Sequence, residues 1–115
     1  MAASMREPTF WILTALASEA RHGYGVIREA AALSGGRVTL QPGTLYAALD
    51  RLADEGLVEV DREEIVDGRT RRYYRLTQPG ATALGAETER LRASADAAAA
   101  QLKRFGHGTA GRPAW

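Results

Sequence analysis

Apolar residues recur at helical spacing in the first half of the chain and predict three short helices. The first covers residues 8–18, with a proline in its first turn, and the second covers residues 26–33. The third, over residues 42–55, carries leucines at i, i+4 and i+7 that form one apolar stripe. Those leucines are Leu45, Leu49 and Leu52. The link at residues 38–40 is predicted to be a short strand or an extended segment.

Alternating apolar positions then predict a β-hairpin around Asp67-Gly68, since this dipeptide is the strongest short-range signal for such a turn. The inward positions are predicted to be Val58, Val60, Tyr74 and Leu76. Paired residues of antiparallel strands share a face, so these even-numbered positions must pair with one another. A two-residue loop breaks this parity, whereas a three-residue loop over 67–69 pairs Val60 with Leu76. The sequence therefore favours the three-residue loop.

A long helix is predicted to follow, with Thr77 as its N-cap and Pro79 in its first turn, ending at Phe105. It carries a heptad-like seam of apolar and small residues. The seam consists of Leu84, Thr88, Leu91, Ala95, Ala98, Leu102 and Phe105. So small a domain offers this seam little to pack on. We therefore expect these residues to form the dimerisation surface of a homodimer.

Together these elements predict a mainly α fold with a small β-hairpin, that is, a winged helix-turn-helix with a long C-terminal dimerisation helix. Residues 8–77 are assigned to the winged helix-turn-helix domain and residues 78–105 to the dimerisation helix. Residues 1–7 and 106–115 are expected to be flexible termini. The sequence leaves open whether Met1 or Met5 is the native start.

Composition excludes several classes of function. The chain has 115 residues, a formal net charge of +1 and no cysteine, which rules out disulfides and thiolate metal sites. No apolar run approaches the roughly 20 residues of a membrane span, so we expect a cytoplasmic protein. There is no Ser-His-Asp set, glycine-rich phosphate loop or metal-ligand cluster. We therefore expect no enzyme, no cofactor and no metal.

The charge is distributed unevenly. Residues 50–67 hold eight acidic side chains and two arginines, whereas residues 69–75 hold four arginines and no acid. An arginine-rich hairpin tip is suited to phosphate contacts. The acidic stretch supports a different interpretation, a winged-helix protein–protein interaction module without specific DNA binding. Steep salt dependence of binding would distinguish DNA from a protein partner.

The third helix and the hairpin carry the candidate DNA-binding residues. Small and polar side chains let a helix enter a major groove about 12 Å wide, where Gln, Thr and Arg bond bases or phosphates. The candidates are Gln41, Thr44, Tyr46, Ala47, Arg51, Arg69, Arg71, Arg72 and Tyr24. Competing interpretations are a solvated helix face, hairpin arginines paired with cross-strand acids, and a Tyr24 that only packs.

Trp11 lies on the first helix, near where the long helices of two subunits are expected to cross. Its indole is either an ordinary core side chain or one wall of a pocket for a small aromatic or hydrophobic effector.

Three blocks of sequence in the right order strongly resemble the PadR family of bacterial transcriptional regulators. They are His22–Val26, Gln41–Tyr46 with Leu49, Arg51–Leu52 and Glu55–Leu57, and Arg72–Thr77 with Gly80. The resemblance covers residues 9–105 and points to the shorter branch of the family, with a single C-terminal helix. It implies a homodimeric winged helix-turn-helix, usually a repressor, with the third helix in the major groove and the hairpin as the wing. Two recognition helices related by a two-fold axis are then expected to bind a palindromic operator. Some relatives release DNA when a small effector binds at the dimer interface.

Overall fold

The computed structural model describes residues 5–110, with side chains described for residues 5–107. This part of the chain forms four helices and three strands. They are α1 (Glu7–Ala17), β1 (Arg21–His22), α2 (Gly23–Leu33), α3 (Pro42–Asp54), β2 (Val58–Val66), β3 (Arg69–Leu76) and α4 (Gln78–Ala110). The mainly α fold with a hairpin and a long last helix is confirmed. Of the termini predicted to be flexible, residues 1–4 and 111–115 lie outside the described residues.

The core lies where α1, α2 and α3 meet one face of the sheet. Proline stands in the first turn of both α1 and α3, where no backbone N–H is needed. Gly56, with φ +79°, ends α3 in the left-handed conformation that favours glycine. The largest fully buried side chains are Ile12, Leu13, Val26, Leu45, Leu49, Leu52 and Val58. The predicted leucine stripe of α3 is therefore confirmed as its core face.

A short strand that the sequence pattern did not predict completes the sheet. Arg21 pairs with Tyr74 and His22 with Tyr73, which gives the strand order β1-β3-β2. The pattern had marked this segment only as a break between helices. Residues 38–40 form no strand, so the extended alternative describes them, and Val38 and Leu40 are buried against the core.

The hairpin differs from the prediction in its turn. Val66 pairs with Arg69, so the loop has two residues, and Asp67 and Gly68 have φ values of 52° and 75°. These positive φ values are typical of the tight turn that suits the twist of a hairpin. The three-residue loop was wrong because the strands change register in the middle.

A β-bulge accounts for that change of register. Between Val60 and Arg62 the strand β2 gains one residue relative to β3, so Val60 pairs with Tyr74 below the bulge and Arg62 with Tyr73 above it. The parity argument therefore applies only at the base of the hairpin, where Val58 pairs with Leu76. Val60, predicted to face inward, is 45% exposed.

The helix α4 begins as predicted and ends later than predicted. The Thr77 side chain accepts a hydrogen bond from the Gly80 backbone N–H at 3.1 Å. Gly80 is required because a Cβ there would overlap the carbonyl oxygen of Leu57. The helix continues to Ala110, five residues beyond the predicted end, and its 33 residues span about 50 Å.

The predicted heptad residues of α4, hereafter the α4 seam, divide into two parts. Leu84 is half-buried and packs against the core, and the half-buried Thr88 donates a hydrogen bond to the Leu84 carbonyl. From Leu91 onward the seam leaves the core, and Leu91 and Leu102 are 40% and 68% exposed. Ala95, Ala98 and Phe105 are exposed as well. Within the described residues, no helix is long and apolar enough to cross a membrane.

Candidate nucleic-acid interface

A groove of about 880 Å³ separates the hairpin, hereafter the wing (residues 58–76), from the start of α2 and from α3. Five of the nine candidate DNA-binding residues line it. They are Tyr24, Tyr46, Arg69, Arg71 and Arg72. Two phenols on helices thus face three guanidinium groups on a strand. All five side chains offer hydrogen-bond donors to one space.

Tyr46 reaches this groove by lying over the start of α2. Gly23, in the first turn of α2, is buried under the Tyr46 ring. A Cβ at position 23 would stand only 2.6 Å from the ring atom Cζ and 2.9 Å from Cε1. Glycine is therefore needed here for close approach rather than for an unusual φ. Tyr46 is still 44% exposed and lines the groove.

His22 fixes the end of α2 that borders the groove. Its Nδ1 accepts a hydrogen bond from the Gly25 backbone N–H at 3.3 Å, which makes His22 the N-cap of the helix. Burial lowers the pKa of His22, and the nearby guanidinium groups of Arg71 and Arg28 lower it further. Both effects favour the neutral ring, the form that keeps Nδ1 an acceptor. Tyr24 then projects from a fixed first turn and is 59% exposed.

The wing arginines differ in whether acids neutralise them. Arg72 donates to Glu63 across the strands at 2.9 Å, and this bond raises the pKa of Arg72. Among the residues that the structure describes, Arg69 and Arg71 form no side-chain hydrogen bond or ion pair. Of the three candidate arginines at the hairpin tip, Arg69, Arg71 and Arg72, only Arg72 thus forms an ion pair with an acid within the described residues. Two cations remain available on the groove.

Ion pairs with arginines neutralise much of the negative charge of the acidic stretch 50–67. Arg62 pairs with Asp61 and Glu64, and Arg75 pairs with Glu59 at 3.1 Å. Five of its eight acids form ion pairs: Glu55, Glu59, Asp61, Glu63 and Glu64. Arg62 also stacks on Tyr73, with Cζ 3.9 Å from the ring centroid. Little of this stretch is left as a uniformly negative surface.

The remaining α3 candidates lie outside the groove. Gln41, Thr44 and Ala47 are exposed on α3 and do not line it. Arg51 lies on the flank of α3 that faces α1, where its Nη2 donates to Thr9 Oγ1 at 3.1 Å. Its Nη1 lies 3.5 Å from a carboxylate oxygen of Glu55. The sequence thus placed Arg51 on the right helix but did not reveal that its guanidinium already has partners.

Seven groove residues were not identified as candidates from the sequence, and three of them bear on the site: His22, Gly23 and Asp50. His22 and Gly23 belong to the first block of the family resemblance but were not predicted to be site residues, although His22 caps α2 and Gly23 seats Tyr46. Asp50 also lines the groove and brings a carboxylate next to the wing. Its position one turn beyond Tyr46 on the same helix was the available signal. The described residues contain no group of three His, Cys, Asp or Glu side chains placed to hold a metal ion.

Trp11 lines a second, smaller cavity of about 340 Å³ between α1 and α4. The indole Nε1–H donates to Glu7 at 3.1 Å, and Arg37 donates to the same carboxylate at 2.7 Å. These two bonds lower the pKa of Glu7. The Arg37 guanidinium lies 5.8 Å from the centre of the Trp11 ring, and Leu91 of the α4 seam closes the far side. Trp11 is thus half-buried: it packs against the hydrophobic core and also lines this cavity.

Comparison with known proteins gives a family match over most of the folded part. The family model described as "Transcriptional regulator PadR-like family" matches residues 12–86. A relative described as Transcriptional regulator Rv3488, from Mycobacterium tuberculosis, is 44% identical over 64 residues. That alignment covers 56% of this chain and 46% of the relative, so the chain spans less than half of that protein.

Solved structures share the fold. A transcriptional regulator from Clostridium thermocellum, Cth-833, aligns with a TM-score of 0.67 and 21% identity over 77% of this chain and 86% of that one. The PadR protein of Bacillus subtilis, solved in complex with operator DNA, aligns with a TM-score of 0.63 and 24% identity. The second alignment covers 70% of this chain and 46% of that one.

Proposed function

This chain belongs to the PadR-like family of transcriptional regulators, and we propose that it binds double-stranded DNA as a homodimer and represses transcription. The observation that carries the proposal is the groove beside the wing. There Tyr24 and Tyr46 line the same space as Arg69 and Arg71, two cations that form no side-chain hydrogen bond or ion pair among the described residues. Such a set of donors fits the phosphates of one DNA strand.

In the proposed complex the candidate residues have two separate roles. Gln41, Thr44 and Ala47, at the exposed start of the helix, enter the major groove and contact base edges. Tyr24, Tyr46 and the wing arginines Arg69, Arg71 and Arg72 hold the flanking phosphates. The B. subtilis structure supports DNA binding as such, because a protein of the same fold was solved with operator DNA.

We also propose that the α4 seam is the dimer interface. Leu91 and Leu102 stand exposed on one side of a helix that extends beyond the core of its own subunit. A second copy of the helix would bury both residues, with Ala95 and Ala98 allowing close approach. Two recognition helices related by a two-fold axis then meet half-sites about 34–36 Å apart on a palindromic operator.

A selection from random DNA duplexes tests the proposal. The purified protein should enrich a palindromic sequence, and its affinity for that duplex should fall steeply between about 50 and 200 mM salt because binding releases counterions. Failure to enrich any sequence at low salt would refute specific DNA binding. It would favour the protein-interaction module, although that alternative has lost most of its acidic surface to internal ion pairs.

The cavity at Trp11 is proposed as the effector site. A volume of about 340 Å³ is at the lower end for small-molecule pockets and suits one or two aromatic rings. Because Leu91 belongs both to this cavity and to the α4 seam, a ligand there would press on the dimer interface. Fluorescence of Trp11, in a Trp115→Phe background, should change on titration with aromatic compounds that release DNA. Compounds that release DNA without changing Trp11 emission would exclude this cavity.

A further inference from the structure

Arg51 connects two helices that are expected to have different roles. α1 carries Trp11 and packs against α4, whereas α3 is the proposed recognition helix. The bond from Arg51 Nη2 to Thr9 Oγ1, at 3.1 Å, is the only side-chain hydrogen bond between α1 and α3 in the described part of the chain. Thr9 is a buried polar residue, 7% exposed, in the first turn of α1.

The geometry of this bond suits a positioning role. α1 and α3 both contribute side chains to the apolar core, and apolar packing has no preferred direction. A hydrogen bond from a planar guanidinium is directional and specifies how one helix is turned against the other. The Glu55 carboxylate, one turn further along α3, holds the other side of the guanidinium at 3.5 Å. Arg51 is thus held from both helices before any DNA arrives.

Small changes in the angle of α3 have large consequences at its start. Thr44 lies two turns before Arg51, so a rotation of about 5° over a lever of roughly 10 Å moves it by about 1 Å. Recognition side chains must be held within about 0.5 Å of their productive positions. Loss of the Arg51–Thr9 hydrogen bond can therefore weaken base contacts that Arg51 itself does not make.

We propose that Arg51 is a positioning residue that ties α3 to α1 through Thr9 and does not contact DNA. This inference rests on the proposed DNA-binding function, and it replaces the expectation from the sequence that Arg51 binds bases or phosphates. It also places Arg51 on a direct route between the α1–α4 region and the recognition helix. Thr9 is separated from Trp11 by a single residue of α1.

Substitution of Thr9, which is remote from the proposed DNA surface, tests the proposal. Thr9→Val replaces the accepting hydroxyl by a methyl group without changing charge, and it should lower affinity for the selected operator about 3- to 10-fold. Thr9→Ser keeps the acceptor and should restore wild-type affinity, which a loss of packing alone would not explain. Arg51→Ala should cost as much as Thr9→Val, and the double variant should cost no more than either, because both remove one bond.

Salt dependence separates this role from a DNA contact. If Arg51 neutralises a phosphate, Arg51→Ala lowers the slope of log affinity against log salt by about 0.9, and Thr9→Val leaves binding unchanged. That result would overturn the inference while leaving the proposed function intact. A wild-type protein that binds no DNA would instead refute the proposed function. The Arg51–Thr9 hydrogen bond is then tested in the free protein by NMR. If Thr9→Val leaves the chemical shifts of the α3 amides unchanged, the inference is overturned.

Discussion

The groove beside the wing and the outer part of the α4 seam are both exposed, but they are built in opposite ways. In the groove, internal contacts already hold two of the polar side chains: Tyr46 packs on Gly23, and Arg72 is bonded to Glu63. The seam from Leu91 onward instead presents apolar side chains to solvent. A surface that is pre-arranged and polar suits a rigid charged ligand, whereas an uncovered apolar face suits a second protein surface.

The two surfaces are coupled if the chain acts as a dimer. The seam then does not contact DNA, yet it sets the distance between two grooves, and each groove contributes only half of the site. Substitutions in the seam should therefore have the largest effect on operator binding, followed by those that disturb the groove's arrangement and then those that remove single contacts.

The largest expected effect is that of Leu102→Asp. Two carboxylates would enter an apolar interface without partners, so the dimer should dissociate. Operator affinity should fall about 100-fold or more because two linked half-sites become independent. Sedimentation velocity would measure the dimer and fluorescence anisotropy the affinity. Ala100→Asp, on the opposite side of α4, is the matched control and should leave both unchanged. Equal effects of the two substitutions would show that the seam is not the interface.

The next effect is that of Gly23→Ala. The new Cβ would overlap the Tyr46 ring, and the half-exposed ring should swing away from α2. Operator affinity should fall about 10-fold, the loss expected for one hydrogen bond to a charged group. Thermal unfolding should change little, because the ring can escape into solvent.

The double variant checks this explanation. In a Tyr46→Ala background the overlap is gone, so Gly23→Ala should have no further effect on affinity. An additive loss would mean that Gly23 acts through the α2 backbone instead. Gly85→Ala, in α4, is a control for the conformational freedom of glycine, since nothing lies within 4 Å of a Cβ there.

A smaller effect is expected for Arg71→Ala. Arg71 has no ion pair within the described residues, so its loss should lower affinity several-fold and the salt slope by about 0.9. Arg75→Ala is the matched control on the same strand, because Arg75 is already paired with Glu59. Titrations of both variants with operator DNA at several salt concentrations measure the affinities and the salt slopes. The same slope for both would mean that internal pairing does not determine which arginines meet DNA.

The sequence predicted elements whose signals are local. The helix α3 is bounded by Pro42 and Gly56 and carries its leucine stripe between them, so all of its determinants lie within one segment. The same holds for the turn at Asp67-Gly68 and the cap at Thr77. Each of these features depends on residues only a few positions apart.

What the sequence did not predict depends on contacts distant in the chain. Strand β1 is only two residues long and exists because Tyr73 and Tyr74 supply its partner. The bulge after Val60 has no local signal, so a correct parity argument gave the wrong loop. Arg51 lies on an exposed helix flank, and only the crossing of α1 shows that Thr9 holds it. In each case the sequence does not show which distant segment packs against the residues concerned.

The smallest expected effect concerns pH and the end of α2 that borders the groove. The pKa of His22 is lowered in the folded protein, so the unfolded chain binds a proton more readily. The associated stability is therefore present above the unfolded pKa of about 6.5 and is lost as pH falls below it. Protonation also removes the Nδ1 acceptor that caps Gly25. Urea unfolding at about pH 7.5 and 5.5 should show a larger loss for wild type than for His22→Asn, which keeps a capping oxygen at both pH values. If the wild type loses no more stability than His22→Asn, packing rather than the His22 cap holds this border of the groove.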